Sequence, residues 1–141
     1  MNRIAAIALF VVAGFATTHS ATAETRVVAT NIPFAFTVNG TTIPAGTYYV
    51  YSVSPHLMQI RSTDFQHPRT VSVTTFDSSQ SKAGDATKLV FKNYGGQYFL
   101  HEIVSPAYST DAEVPASNQE KKVRVEWAGK SGGQPVLVAL N

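Results

Sequence analysis

NIPFAFTVNGTTIPAGTYYVYSVSP, from Asn31 to Pro55, is the stretch that decides the fold. Phe34, Phe36 and Val38 fall on one face of an extended chain and Ala35 and Thr37 on the other, a period of two that suits a half-buried strand and no helix. Asn39-Gly40 follows as the dipeptide of a tight hairpin turn, because both central positions of that turn need a left-handed backbone. Asn39-Gly40-Thr41 also fits the acceptor for N-glycosylation, which matters only in a eukaryotic secretory pathway. Pro44-Ala45-Gly46 makes a second turn. The run TYYVYSV, Thr47 to Val53, is almost wholly β-branched or aromatic, with Tyr49 and Tyr51 on the face opposite Tyr48, and Pro55 ends it.

The same signals continue outward. LMQIR, Leu57 to Arg61, reads as a short strand, Ser62 to Arg69 as a polar loop, and TVSVTTF, Thr70 to Phe76, as another alternating strand. Asp77 to Thr87 has no apolar residue larger than alanine and reads as a surface loop. KLVFK resumes the sheet, Asn93 to Gly96 turns it, and QYFLHEIV, Gln97 to Val104, is apolar on both faces, as a central strand would be. Ser105 to Pro115 and Gly129 to Pro135 are loop-like, and Val136 to Leu140 is a last strand. Between them two signals conflict. Ser117 to Glu120 matches a capping box at a helix start, whereas Val123, Val125 and Trp127 alternate with Lys122, Arg124 and Glu126 as in a strand. The expectation is a mainly β chain: an antiparallel β-sandwich or small β-barrel of about eight strands, with one short helix near 116–125.

The N-terminus reads Met-Asn-Arg, then an apolar run from Ile4 to Ala16, then a polar stretch closing on Ala21 and Ala23. That is the three-part pattern of a cleaved signal peptide over residues 1–23, leaving one β-rich domain over 24–141. Thirteen residues rise about 20 Å as a helix, short of a hydrocarbon core of about 30 Å, so the run is too short for an anchor. The strands are also short for a transmembrane barrel, so the chain is not expected to be an integral membrane protein after cleavage. One of the eleven basic residues, Arg3, leaves with the leader, so ten remain against nine acidic ones. A near-neutral chain with dispersed charge gives no nucleic-acid footprint.

There is no cysteine, hence no disulfide framework, thiolate metal site or cysteine nucleophile. Three histidines follow the leader: His56, His67 and His101. His67 shares a loop with Asp64, and His101 precedes Glu102, whose side chain should point to the opposite face of the strand. None has a second ligand at same-face spacing, so no metal is expected. No strand-to-helix serine elbow, paired carboxylate cleft or phosphate-cradling glycine loop is visible, and no cofactor is implied.

The aromatic residues are the candidate binding surface. Tyr49, Tyr51 and Tyr94 can present a flat apolar face with a polar tip to a sugar or a peptide, though the same rings also serve to cover a half-buried strand.

Beyond these local readings, the first hairpin (Ile32, Pro33, Phe34, Phe36, Val38, Ile43, Pro44, Ala45, Gly46, Tyr48), KLVFKNYGGQYFLHEI from Lys88 to Ile103, and VPASNQEKK from Val114 to Lys122 form a pattern spread over most of the chain after the leader. It resembles a family of small exported β-rich proteins typical of acidobacterial genomes, with a departure at Ala35, where an acid is frequent. The resemblance implies a bacterial envelope or secreted β-rich protein, supports the helix near 116–125 over the strand, and carries over no catalytic residue. The functional expectation is an exported, secreted or periplasmic, non-enzymatic binding or structural module with an envelope component, a glycan or a protein as partner. A small carrier of an apolar ligand in a barrel cavity is the alternative. A hydrolase using His101 and Glu102, or the His67 and Asp64 loop, is a third reading.

Overall fold

The first hairpin is built twice over. Strand β1 (Thr25–Ile32) pairs antiparallel with β4 (Gly46–Ser54) up to Ile32 opposite Gly46, and β2 (Phe36–Val38) pairs with β3 (Thr41–Ile43) from Phe36 opposite Ile43. Pro33 and Pro44 stand in the two gaps. Proline brings no N–H to a ladder, so pairing breaks there and the chain can turn a corner. One hairpin therefore contributes its base to one sheet and its tip to the other. At the tip Asn39 and Gly40 have φ of 50° and 75°, the left-handed pair the dipeptide predicts.

The computed structural model describes residues 25–78, 87–104, 111–130 and 133–139, without the side chains of 25–28. The expected signal peptide, most of the 77–87 loop and residues 105–110 of the loop expected at 105–115 lie outside the described residues. The first sheet has the order β1-β4-β5-β6, with β5 at Leu57–Ser62 and β6 at Thr70–Thr74. The second contains β7 (Phe76–Asp77), β8 (Lys88–Tyr94), β9 (Gln97–Val104), β10 (Ala112–Glu113) and β11 (Gln134–Ala139), in the order β11-β8-β9-β10-β7. The β2–β3 hairpin joins this sheet through a parallel pairing of β2 with β9, Phe36 opposite Tyr98. The sandwich-like, partly closed β fold is thus present, with eleven short strands among the described residues and one parallel pairing.

Two side chains tie the sheets at their margins. Asn39 Nδ2 donates to the Ser72 carbonyl at 2.9 Å, and Thr30 Oγ1 donates to the Ala139 carbonyl at 3.0 Å. Between the sheets lie Ile32, Tyr48, Val50, Ile60 and Val73 of the first against Phe36, Val38, Leu89, Phe91, Leu100 and Ile103 of the second. The Phe36 ring meets Tyr48 edge-on at 5.8 Å and Phe91 at 5.3 Å, so the interior is filled by side chains.

Strand β9 is central, as its two apolar faces require, because β8 flanks one side and β2 and β10 the other. A bulge modifies it. Phe91 pairs with Leu100 and Val90 with Glu102, leaving His101 without a partner on β8, while its carbonyl accepts from the Val114 N–H at 2.8 Å. Tyr98, Leu100 and Ile103 all join the core, so His101 and Glu102 are not split between the faces as simple alternation predicts.

Helix α1 (Asn118–Trp127) starts where the capping signal places it, with Ser117 Oγ accepting from the Glu120 N–H at 3.2 Å. Val123 and Trp127, one helical turn apart, cover Tyr94 and Phe99 on the outer face of the second sheet. Val125, which a strand would have buried with them, is 74 % exposed.

Candidate functional site

A cleft of about 360 Å³ opens where the Pro44-Ala45 corner enters β4. Its walls are Pro44 to Tyr48 on one side and Ser62, Thr63, Asp64, His67 and Arg69 on the other. Both walls follow from the β4–β5 register. Tyr48 pairs with Ser62, and on the next rung the Thr63 N–H donates to the Thr47 carbonyl at 3.0 Å, so the loop leaving β5 rises beside the Pro-Ala-Gly corner.

That loop is held in shape from within. The Ser62 N–H donates to the Arg69 carbonyl at 2.8 Å, closing the loop at its base. The Asp64 N–H donates to Ser62 Oγ at 3.0 Å, and Asp64 Oδ1 accepts from the Gln66 and His67 N–H groups at 2.8 and 3.3 Å. An aspartate bonded to backbone donors two and three residues on is a turn device in its own right. The His67 ring completes it, with Nδ1 3.2 Å from Asp64 Oδ2. The backbone donation from Gln66, aided by His67, holds the Asp64 carboxyl below its ordinary pKa, so it stays an acceptor.

On the opposite wall the Tyr48 hydroxyl donates to the Pro44 carbonyl at 2.7 Å, pinning the corner to the strand it precedes. Burial pushes the phenol pKa up, and the Arg69 charge opposes that shift. Thr63 Oγ1 donates to the Thr47 carbonyl at 3.1 Å. The cleft thus holds one guanidinium, one carboxylate, an imidazole and several hydroxyls, and the side chains of Tyr48, Ser62, Thr63, Asp64 and His67 are each engaged in a hydrogen bond.

The expected aromatic surface is divided between the sheets. Tyr49 and Tyr51 lie on the outer face of the first sheet, edge to face at 6.0 Å, and the Arg61 guanidinium covers the Tyr51 ring at 4.6 Å. Arg61 is held there by two bonds to Gln59 Oε1, from Nε at 3.2 Å and Nη2 at 2.7 Å. Tyr94 does not join them. It is buried beneath α1 in the second sheet, 3 % exposed, because Val123 and Trp127 cover that face.

The other candidates are dispersed. His101 is half-buried, and burial, with the Lys92 charge, moves its pKa down, while Glu113 and Glu102 pull the other way. His56 lies 3.9 Å from Asp77 at the surface. Among the described residues no group of three potential ligands could hold a metal ion, and no helix is long and apolar enough to cross a membrane. Asp64 and His67 were legible as a loop pair. Ser62 and Arg69 bound the same loop, whereas Tyr48 and Thr47 join it only through strand register, and the Pro-Ala-Gly turn was the signal that one wall would be backbone. Comparison with protein-family models, curated proteins and solved structures gives no match for this chain.

Proposed function

We propose that the protein is an exported, non-enzymatic binding module of the cell envelope or extracellular space, and that its ligand seats in the cleft between the Pro44-Ala45-Gly46 corner and the 62–69 loop. The signal-peptide pattern supports export, and the cleft supports binding. The observation that carries the reading is the cleft itself: a concave site at the lower end of the range for small ligands, roughly 300–1,000 Å³, lined by fixed polar groups. Binding is favoured over catalysis by how those groups are used. Ser62, Thr63 and Tyr48 are bonded to the loop or the corner, and His67 is turned toward Asp64. A catalytic hydroxyl would instead be held against the imidazole. The apolar carrier reading lacks such support, since aromatic rings fill the space between the sheets.

The test is a ligand-observed NMR screen of the exported chain against small sugars, amino acids and simple anions. Saturation transfer to at least one class, lost in Arg69→Ala, is expected. Transfer to none, or transfer that Arg69→Ala leaves intact, would contradict the assignment of the cleft.

A further inference from the structure

Phe65 is 92 % exposed, between two residues, Asp64 and His67, that line the cleft. The loop carrying it is closed at its base by Ser62 and Arg69 and braced inside by Asp64, so an apolar ring is presented to solvent at the rim by a fixed loop. We propose that the cleft takes one ring of a neutral saccharide, whose hydroxyl groups bond within it, while a C–H face of the same or the adjoining ring rests on Phe65. This deepens the binding-module reading and rests on it.

The chemical class follows from counting what each wall group has left to offer. Ser62 Oγ accepts from Asp64 and keeps its O–H to donate. Thr63 Oγ1 and the Tyr48 hydroxyl spend their protons on carbonyls and keep lone pairs to accept. A carboxylate can only accept, so the His67 nitrogen facing Asp64 is the protonated one, and in the neutral ring Nε2 remains an acceptor. Arg69 supplies donors alone.

An anion needs donors only and a cation acceptors only. The cleft carries both kinds, and Asp64 offsets the charge of Arg69. A polyhydroxylated neutral ring donates and accepts at each hydroxyl, which is the pattern the cleft complements. Such a ring also has apolar C–H faces, and an exposed aromatic ring beside a polar cleft gives them a partner.

The experiment is calorimetric titration of the exported chain with glucan, mannan, xylan and chitin tetrasaccharides, and with phosphate, acetate and galacturonate. At least one neutral tetrasaccharide is expected to bind, with affinity lost in Arg69→Ala, lowered about tenfold in Phe65→Ala and kept in Phe65→Trp. Since Phe65 lies outside the core, both of its variants fold. Arg69-dependent binding of the anions alone would overturn the saccharide assignment and leave the cleft as a binding site. Saccharide binding that Phe65→Ala leaves unchanged would overturn the stacking. No Arg69-dependent binding by any probe would remove the cleft reading and this inference together.

Discussion

The Tyr94 phenol and the Glu120 carboxylate, both buried, interact beneath α1, joining a tyrosine that the sequence offered to solvent to an acid that a helix start offered to its own backbone. Burial raises the Glu120 pKa above its ordinary value near 4.5, against the lowering effects of Lys92, Arg124 and Tyr94. An acid whose folded pKa is raised binds more protons when folded than when unfolded. Its contribution to stability is therefore whole below 4.5 and is lost as pH rises through the folded value. Glu120→Gln keeps an acceptor for Tyr94 and removes the titration. Urea midpoints should show the variant more stable than wild type at pH 7 and the two converging at pH 4.

Gly95 stands at φ 60° in the turn between β8 and β9, and the Trp127 indole lies over it so closely that a Cβ would fall within the ring. Gly95→Ala meets both obstacles at once, the left-handed backbone and the displaced indole. A loss of about 3 kcal/mol is expected in chemical denaturation, with a red shift of Trp127 fluorescence as the ring is pushed outward.

Phe36 is the hinge of the interior, 1 % exposed and in contact with the Tyr48 and Phe91 rings. Phe36→Ala should cost about 3 to 5 kcal/mol in the same assay. A loss under about 1 kcal/mol would mean that the face it shares with Val38 is not core.

Asp64 organises the cleft wall through the Gln66 and His67 amides. Asp64→Ala should speed hydrogen exchange at those two amides about fivefold, the worth of a bond of about 1 kcal/mol, while leaving exchange in β8 and β9 unchanged.

The hairpin, the central place of β9 and the helix were legible because each is written locally: alternation about Phe34 and Phe36, apolar residues on both faces, serine and glutamate at capping spacing. β1 was not, because TRVVATNI lacks strict alternation and its strand character comes from pairing with β4. Two-residue strands such as β7 and β10, and the parallel contact of β2 with β9, exist only as long-range pairings that no local pattern records. Tyr94 was misplaced for a related reason. Alternation gives the two faces of β8, but which of them α1 covers depends on where the chain returns. The cleft was half legible. Asp64 and His67 are three residues apart in one loop, whereas Tyr48 reaches them through the register that sets it opposite Ser62.

The most direct test of the cleft as the proposed binding site is a two-dimensional amide NMR titration of residues 24–141 with the tightest-binding neutral tetrasaccharide. Shift changes confined to Thr47, Thr63, Gln66, His67 and Arg69, and absent in Arg69→Ala, are the expected result. Shift changes centred on Tyr49, Tyr51, Gln59 and Arg61, or on α1 and Tyr94, would place the ligand elsewhere and contradict it.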